Sequence, residues 1–246
     1  MRRLVIPRLS RAAVLLGMTA LLASPVAARA DNDEEKRVTE SMAVLETLVR
    51  APDQGIPEHI LTRAEAIVVI PSLVKGGFIV GAQHGRGIMS VRNRETNTWS
   101  APGFVALTGG SIGWQIGVQA TDLVLLVMNR DGVKDLLDTE FKVGANASVA
   151  AGPVGRTGEA STDASLSAQI LAYSRTRGLF AGLALEGASL RIDRDANEKF
   201  YGKAVSKDEM VRGVSITTPA GSSLTAALEC VTFVAAGLRG SKKGPS

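Results

Sequence analysis

Cysteine occurs once, at Cys230, and histidine twice, at His59 and His84, in 246 residues. An exported fold built on this chain therefore has no internal disulfide. Two histidines and one cysteine are also too few for a zinc or iron centre, so no metal and no cofactor is expected. No apolar run reaches the roughly 20 residues that cross a bilayer as a helix. The G-x-x-x-x-G-K-[ST] phosphate loop is missing: "YGKAV" has Ala204 where a hydroxyl is needed, and "GSKKG" lacks the spacing. "DRDANE" (Asp193 to Glu198) opens like a calcium loop but lacks the glycine at its sixth position. "GGSIG" (Gly109 to Gly113) fits the G-x-S-x-G nucleophile elbow, yet that mechanism takes its histidine from later in the chain and none follows His84. Serine hydrolysis at Ser111 thus ranks last among the readings, and no catalytic residue is assigned.

What is present begins with a leader. "MRRLVIPRLSR" is basic, "AAVLLGMTALLA" (Ala12 to Ala23) is apolar, and "ARA" (Ala28 to Ala30) places small residues where a signal peptidase reads them. This is the pattern of a secretory signal peptide, residues 1–30, cleaved after Ala30. The leader holds five arginines and no acid, so residues 31–246 carry 23 basic against 24 acidic side chains. That balance excludes a generally basic, nucleic-acid-binding protein. The charge is uneven all the same. Residues 31–65 hold four basic and nine acidic groups, whereas residues 66–121 hold Lys75, Arg86, Arg92 and Arg94 against Glu95 alone. A local cationic face on a near-neutral protein suits an anionic surface or headgroup.

The residues after the leader read as one domain, 38–238, between a polar lead-in at 31–37 and a basic, disordered tail at 239–246. Apolar residues at 38, 42, 45 and 49 have helical spacing, and Pro52 ends that helix. Pro57 suits the first turn of a shorter helix over "PEHILTRAEA". "AIVVIP" (Ala66 to Pro71) is a buried-strand pattern, "RNRETNTW" a hairpin turn, and "NRDGVKDLLD" a short helix. "TPAGSSLTAALECVTFVAAGL" closes the fold as a helix that Ser222 or Ser223 caps. Asp122 and Glu186 adjoin apolar strands and are candidate buried acids.

Between these helices the period changes to two. Of 26 glycines, 18 lie between Gly76 and Gly187. Gly77, Gly81, Gly85 and Gly87 share one face of an extended chain, and Phe78, Val80, Ala82 and Ile88 the other. "GSIGWQIGVQ" and "FKVGANASVA" alternate likewise, and "GLFAGLALEGASLRID" repeats the glycine spacing. Phosphate loops gather their glycines in one short turn opening a helix. Glycine at strand spacing instead signals strong curvature or the close approach of another element. The reading is an α+β fold whose strongly curved antiparallel or barrel-like sheet is flanked by N- and C-terminal helices.

"AEAIVVIPSLVKGGFIVGAQHGRGIMSVR", "WSAPGFVALTGGSIGWQIGVQATDLVLLVMN", "AAGPVGR" and "AYSRTRGLFAGLALEGASLRIDRDANEKFYG" together resemble the SYLF-domain family of lipid-binding proteins. The resemblance covers about Leu45 to Lys203 and implies a non-enzymatic domain that binds lipid, with phosphoinositides the ligands of eukaryotic members. Some fungal and animal members bind or bundle actin. That activity travels with cytosolic partners and appended SH3 or FYVE modules, so for an exported chain the expected partner is phospholipid at the periplasmic or outer-membrane surface. Lys75, Arg86, Arg92 and Arg94 are the candidate headgroup cations, with Arg175 and Arg177 a second pair able to fork a phosphate. Trp99 and Phe104 are candidate interfacial aromatics. The alternative is a structural or partner-binding envelope protein that uses the bare strand faces for protein contact.

Overall fold

Alternating apolar residues from Ala66 onwards build two strands far longer than usual. In the computed structural model β1 spans Ala66–Asn93 and β3 spans Gly103–Val127, 28 and 25 residues. They pair antiparallel from Ala66↔Val127 to Met89↔Gly103. A turn at 94–97 and the two-residue β2 (Thr98–Trp99), which pairs back onto Arg92 and Asn93, close the hairpin. The structure describes residues 33–50, 55–136, 141–142, 148–153, 168–176, 179–182, 188–212 and 220–229. The described residues form one compact unit.

Hairpins of this length twist and coil, and two irregularities sharpen the bend, between Ile70 and Leu73 and between Gly77 and Ile79. At the first, Ser72 adopts a left-handed φ of 51° and its amide donates to Asp122 Oδ1 at 3.0 Å. The hairpin curls until β1 crosses its own beginning. The backbone amide of Arg92 donates to the Glu65 carbonyl at 2.7 Å, joining the two ends of the strand. A Cβ on Gly87 would overlap the Val69 carbonyl oxygen and lie 2.8 Å from Ile70 Cα, and one on Gly85 would lie 2.5 Å from Ile70 Cγ2. Gly85 and Gly87 therefore mark where the curled sheet meets itself, and the segment Gly77 to Gly87 is strand throughout.

The rest of the sheet adds β4 (Phe141–Lys142), β5 (Val149–Ala151), β6 (Ile170–Thr176), β7 (Leu179–Gly182) and β8 (Ala188–Ile192). β6 and β8 pair antiparallel with opposite ends of β3, whereas β5 runs parallel to β6, so the sheet is mixed. Both faces of β1 are covered over residues 66–70 and 87–92, whereas Val74, Ala82, His84 and Arg86 between them are exposed. Val68, Ile70, Met89, Leu107, Leu123 and Leu125 pack inside the curl with Val133 and Leu136 of one helix, and the alternate residues Ile67, Val69, Ile88, Phe104, Val124 and Leu126 face the other helices.

Those helices are α1 (Asp33–Arg50), α2 (Glu58–Leu61), α3 (Arg130–Leu136), α4 (Arg194–Tyr201), α5 (Lys207–Arg212) and α6, residues 220–229. α1 starts inside the segment read as a polar lead-in. Asp33, Glu34 and Glu35 favour the positive end of the helix dipole, and Glu34 and Arg37 are buried. α6 is already helical at residue 220, so Ser222 and Ser223 lie within it rather than before it. "DRDANE" is a helix start: Asp193 Oδ1 accepts from the Ala196 amide at 3.3 Å, and Gly202 ends α4 with a φ of 67°. Among the described residues no helix is long and apolar enough to cross a membrane.

Candidate functional site

Glu65 sits where the curled hairpin closes. Its amide donates to the Val127 carbonyl at 2.7 Å while its own carbonyl takes the Arg92 amide, so its backbone is pinned between the ends of β3 and β1. The side chain, only 9 % exposed, is ion-paired with two guanidinium groups and lies near a third. Arg94 brings Nε to 2.7 Å and Nη2 to 2.5 Å of Oε1. Arg130, at the start of α3, brings Nε to 3.2 Å of Oε2 without hydrogen-bond alignment, and its Nη2 donates to the Arg92 carbonyl at 3.1 Å. Arg92 lies deeper, donating to the carbonyls of Thr62 at 2.8 Å and Leu61 at 3.2 Å and stacking 4.7 Å from the Trp99 ring centre.

Electrostatics follow from this arrangement. Burial, with Arg94 close by, pulls the Arg92 guanidinium below its ordinary value, an effect Glu65 partly offsets. The hydrogen bond to Glu65 raises Arg94 against the opposing effect of burial. Three cations thus meet one carboxylate, and Arg94 and Arg130 remain 51 % and 42 % exposed. Arg63 adds a further exposed cation in the turn after α2.

The other candidates are distributed elsewhere. Arg86 donates through Nε and Nη2 to Asp193 Oδ2 at 3.3 and 3.0 Å, and Arg37 of α1 reaches the same oxygen at 3.0 Å. Burial pushes the Asp193 carboxyl up, but the bonds from Arg37, Arg86 and the Ala196 amide hold it below the usual carboxylate value. Arg175 is paired across the sheet with Asp122, donating at 2.8 Å through Nε. Lys75 lies opposite Gln119, half-buried and lowered by that burial, with no hydrogen bond or ion pair among the described residues. Phe104 is fully buried, edge-on to Phe200 at 4.9 Å and beneath Arg37 at 5.3 Å. It and the 4 %-exposed Trp99 are interior rings, not aromatics at a membrane boundary. Arg177 and Glu186 lie outside the described residues.

The structure therefore brings Arg92, Arg94 and Trp99 together and leaves Lys75, Arg86 and Arg175 apart. Sequence reasoning missed Arg63, Glu65 and Arg130. Arg63 and Glu65 fall within the acid-rich stretch, and Arg130 follows a strand 38 positions from Arg92, so only the curl unites them. It also missed Asn197, whose side chain pairs with both backbone groups of Phe104 at 3.0 Å and continues the β3–β8 ladder. Ser111 lies within β3, paired with Gly81, and no strand-to-helix elbow forms there. Among the described residues no three His, Cys, Asp or Glu gather as metal ligands.

Known proteins are similar to this chain in sequence. The Ysc84 family model, described as "Las17-binding protein actin regulator", matches residues 108–231. LAS seventeen-binding protein 3 of Saccharomyces cerevisiae is 35% identical over 212 residues, which are 83% of this chain and 45% of that protein. Protein YSC84 of the same yeast is 36% identical over 186 residues, 74% of this chain and 39% of its own length. The human SH3 domain-containing YSC84-like protein 1 is 36% identical over 152 residues, 61% of this chain and 44% of that protein. The chain thus spans less than half the length of these relatives. With the family model matching half of the chain and the yeast proteins most of it, the chain belongs to the Ysc84, or SYLF-domain, family.

Proposed function

We propose that this protein is a non-enzymatic lipid-binding member of the family, exported by its leader and docking on anionic phospholipid at the periplasmic or outer-membrane surface. The observation that carries this reading is the unneutralised cationic end of the hairpin. Arg92 and Glu65 offset one another inside, and Arg63, Arg94 and Arg130 outweigh the exposed Glu95 of the turn. A net two charges at an anionic surface contribute about 2 kcal/mol, roughly a thirtyfold preference over a neutral one. The basic, apolar and small-residue blocks of residues 1–30 support export. The test is co-sedimentation of the purified, leader-free protein with phosphatidylglycerol or phosphatidylcholine vesicles. Binding to both alike would remove the charge argument, and binding to neither would remove the lipid.

The family description favours a second reading, a protein-binding module whose partner is a cytoskeletal-type filament or its regulator. Co-sedimentation with actin filaments, in the absence of lipid, separates the two.

A further inference from the structure

The cationic end is more than a diffuse field. Arg94 and Arg130 both turn their inner edges to one carboxylate: Nε and Nη2 of Arg94 on Oε1, Nε of Arg130 at Oε2. Glu65 can hold them because its backbone is hydrogen-bonded on both sides and its side chain is buried. The Nη1 groups of both arginines make no hydrogen bond among the described residues, and both side chains are about half exposed. Two guanidinium groups are thus fixed from behind, with donors left over on the solvent side, while the cluster has three cations to one anion. A planar guanidinium fixed in this way matches the tetrahedral oxygens of a phosphate, which an ammonium meets only as a point charge.

Resting on the lipid reading above, we infer that Arg94 and Arg130 form a phosphate-binding fork, with Glu65 as the residue that positions them and a phosphate ester as the ligand. Arg92 is not part of the fork, since its donors serve the end of α2. The fork differs from a general cationic surface in depending on shape as well as charge.

Arg94→Lys and Arg130→Lys test that difference, because each keeps the charge and a partner for Glu65. With vesicles of equimolar phosphatidylglycerol and phosphatidylcholine, each variant should bind about tenfold more weakly than the wild type, the loss of one charge-assisted bond. Wild-type binding matched by both lysine variants would overturn the fork and leave the lipid reading standing. A wild type that ignores the vesicles overturns the lipid reading itself. If either variant melts early, arginine side-chain NMR of the wild-type protein replaces it: soluble short-chain phosphatidylglycerol should shift the Arg94 and Arg130 Nη signals and leave Arg92 in place, and unmoved signals overturn the proposal. Competition assigns the source. Displacement from vesicles by inorganic phosphate points to free phosphate, and displacement only by soluble short-chain phosphatidylglycerol points to the lipid headgroup. If neither displaces the protein, the fork is wrong.

Discussion

Gly87→Ala should cost far more than a methyl group on a strand normally does. Alanine in place of strand glycine usually helps, because it restricts the unfolded chain by about 0.4–1 kcal/mol. Here the new Cβ would overlap the Val69 carbonyl oxygen and sit 2.8 Å from Ile70 Cα. Both obstacles are backbone, and Val69 and Ile70 are held in the ladder to Val124 and Leu123. No rotamer change relieves the clash, so the two arms of β1 must separate where they cross. Overpacking of this kind costs about 1–3 kcal/mol and occasionally more. A net loss of about 2 kcal/mol lowers the melting temperature of a chain this size by roughly 4–8 °C. Gly85→Ala should cost less, since its closest obstacles are the Ile70 and Leu73 side chains and the nearest backbone atom, Leu73 Cα, lies at 3.3 Å. Gly110→Ala should be neutral or slightly stabilising, its nearest neighbour being the Gly81 oxygen at 4.0 Å. Thermal melts of the three variants followed by circular dichroism give the order. Equal melting temperatures for Gly87→Ala and Gly110→Ala would refute the self-crossing explanation of the glycine pattern.

Asn197→Leu leaves the buried Phe104 amide without its partner at 3.0 Å, so denaturant unfolding should show a loss of about 2 kcal/mol. Tyr173→Phe removes a buried hydroxyl that has no hydrogen-bond partner among the described residues, so the melting temperature should hold or rise, and a fall would reveal a missing partner. Asp193 titrates below its ordinary 3.8 in the folded protein, so its stabilising effect is complete above that pH and fades as the pH falls through the folded value. Asp193→Asn should therefore be less stable at neutral pH and lose less on acidification below about pH 4, which melts across a pH series would read.

Much of the fold was legible because local chemistry sets it. The apolar spacing from Val38 marks the first helix and Pro57 the start of the second, "RNRETNTW" turns the hairpin, and glycine parity marks the bare face. The acids of "DEEKR", by contrast, read as a lead-in although the helix already starts at Asp33. What those glycines meet was not legible, because Gly87 and Val69 are brought together only by the curl of a whole hairpin. The site suffered from the same limit. The last part of β1, Gly87 to Arg92, is buried on both faces, so alternation alone does not tell an exposed arginine from one turned inward: Arg92 spans to the carbonyls of Leu61 and Thr62, and Arg94, two residues on, is half exposed. Charge counting credited Arg92 to the surface and passed over Glu65 and Arg130. Reversing the charge of Arg92 would thus unseat α2 as well as alter the surface.

The most direct test of the whole account is the partition of the purified, leader-free protein between buffer and phosphatidylglycerol vesicles as salt is raised. Strong binding at low ionic strength that fades as the surface charge is screened, with phosphatidylcholine vesicles left unbound throughout, is the expected result. Indifference to anionic vesicles at low salt would contradict it and leave the protein-binding reading in possession.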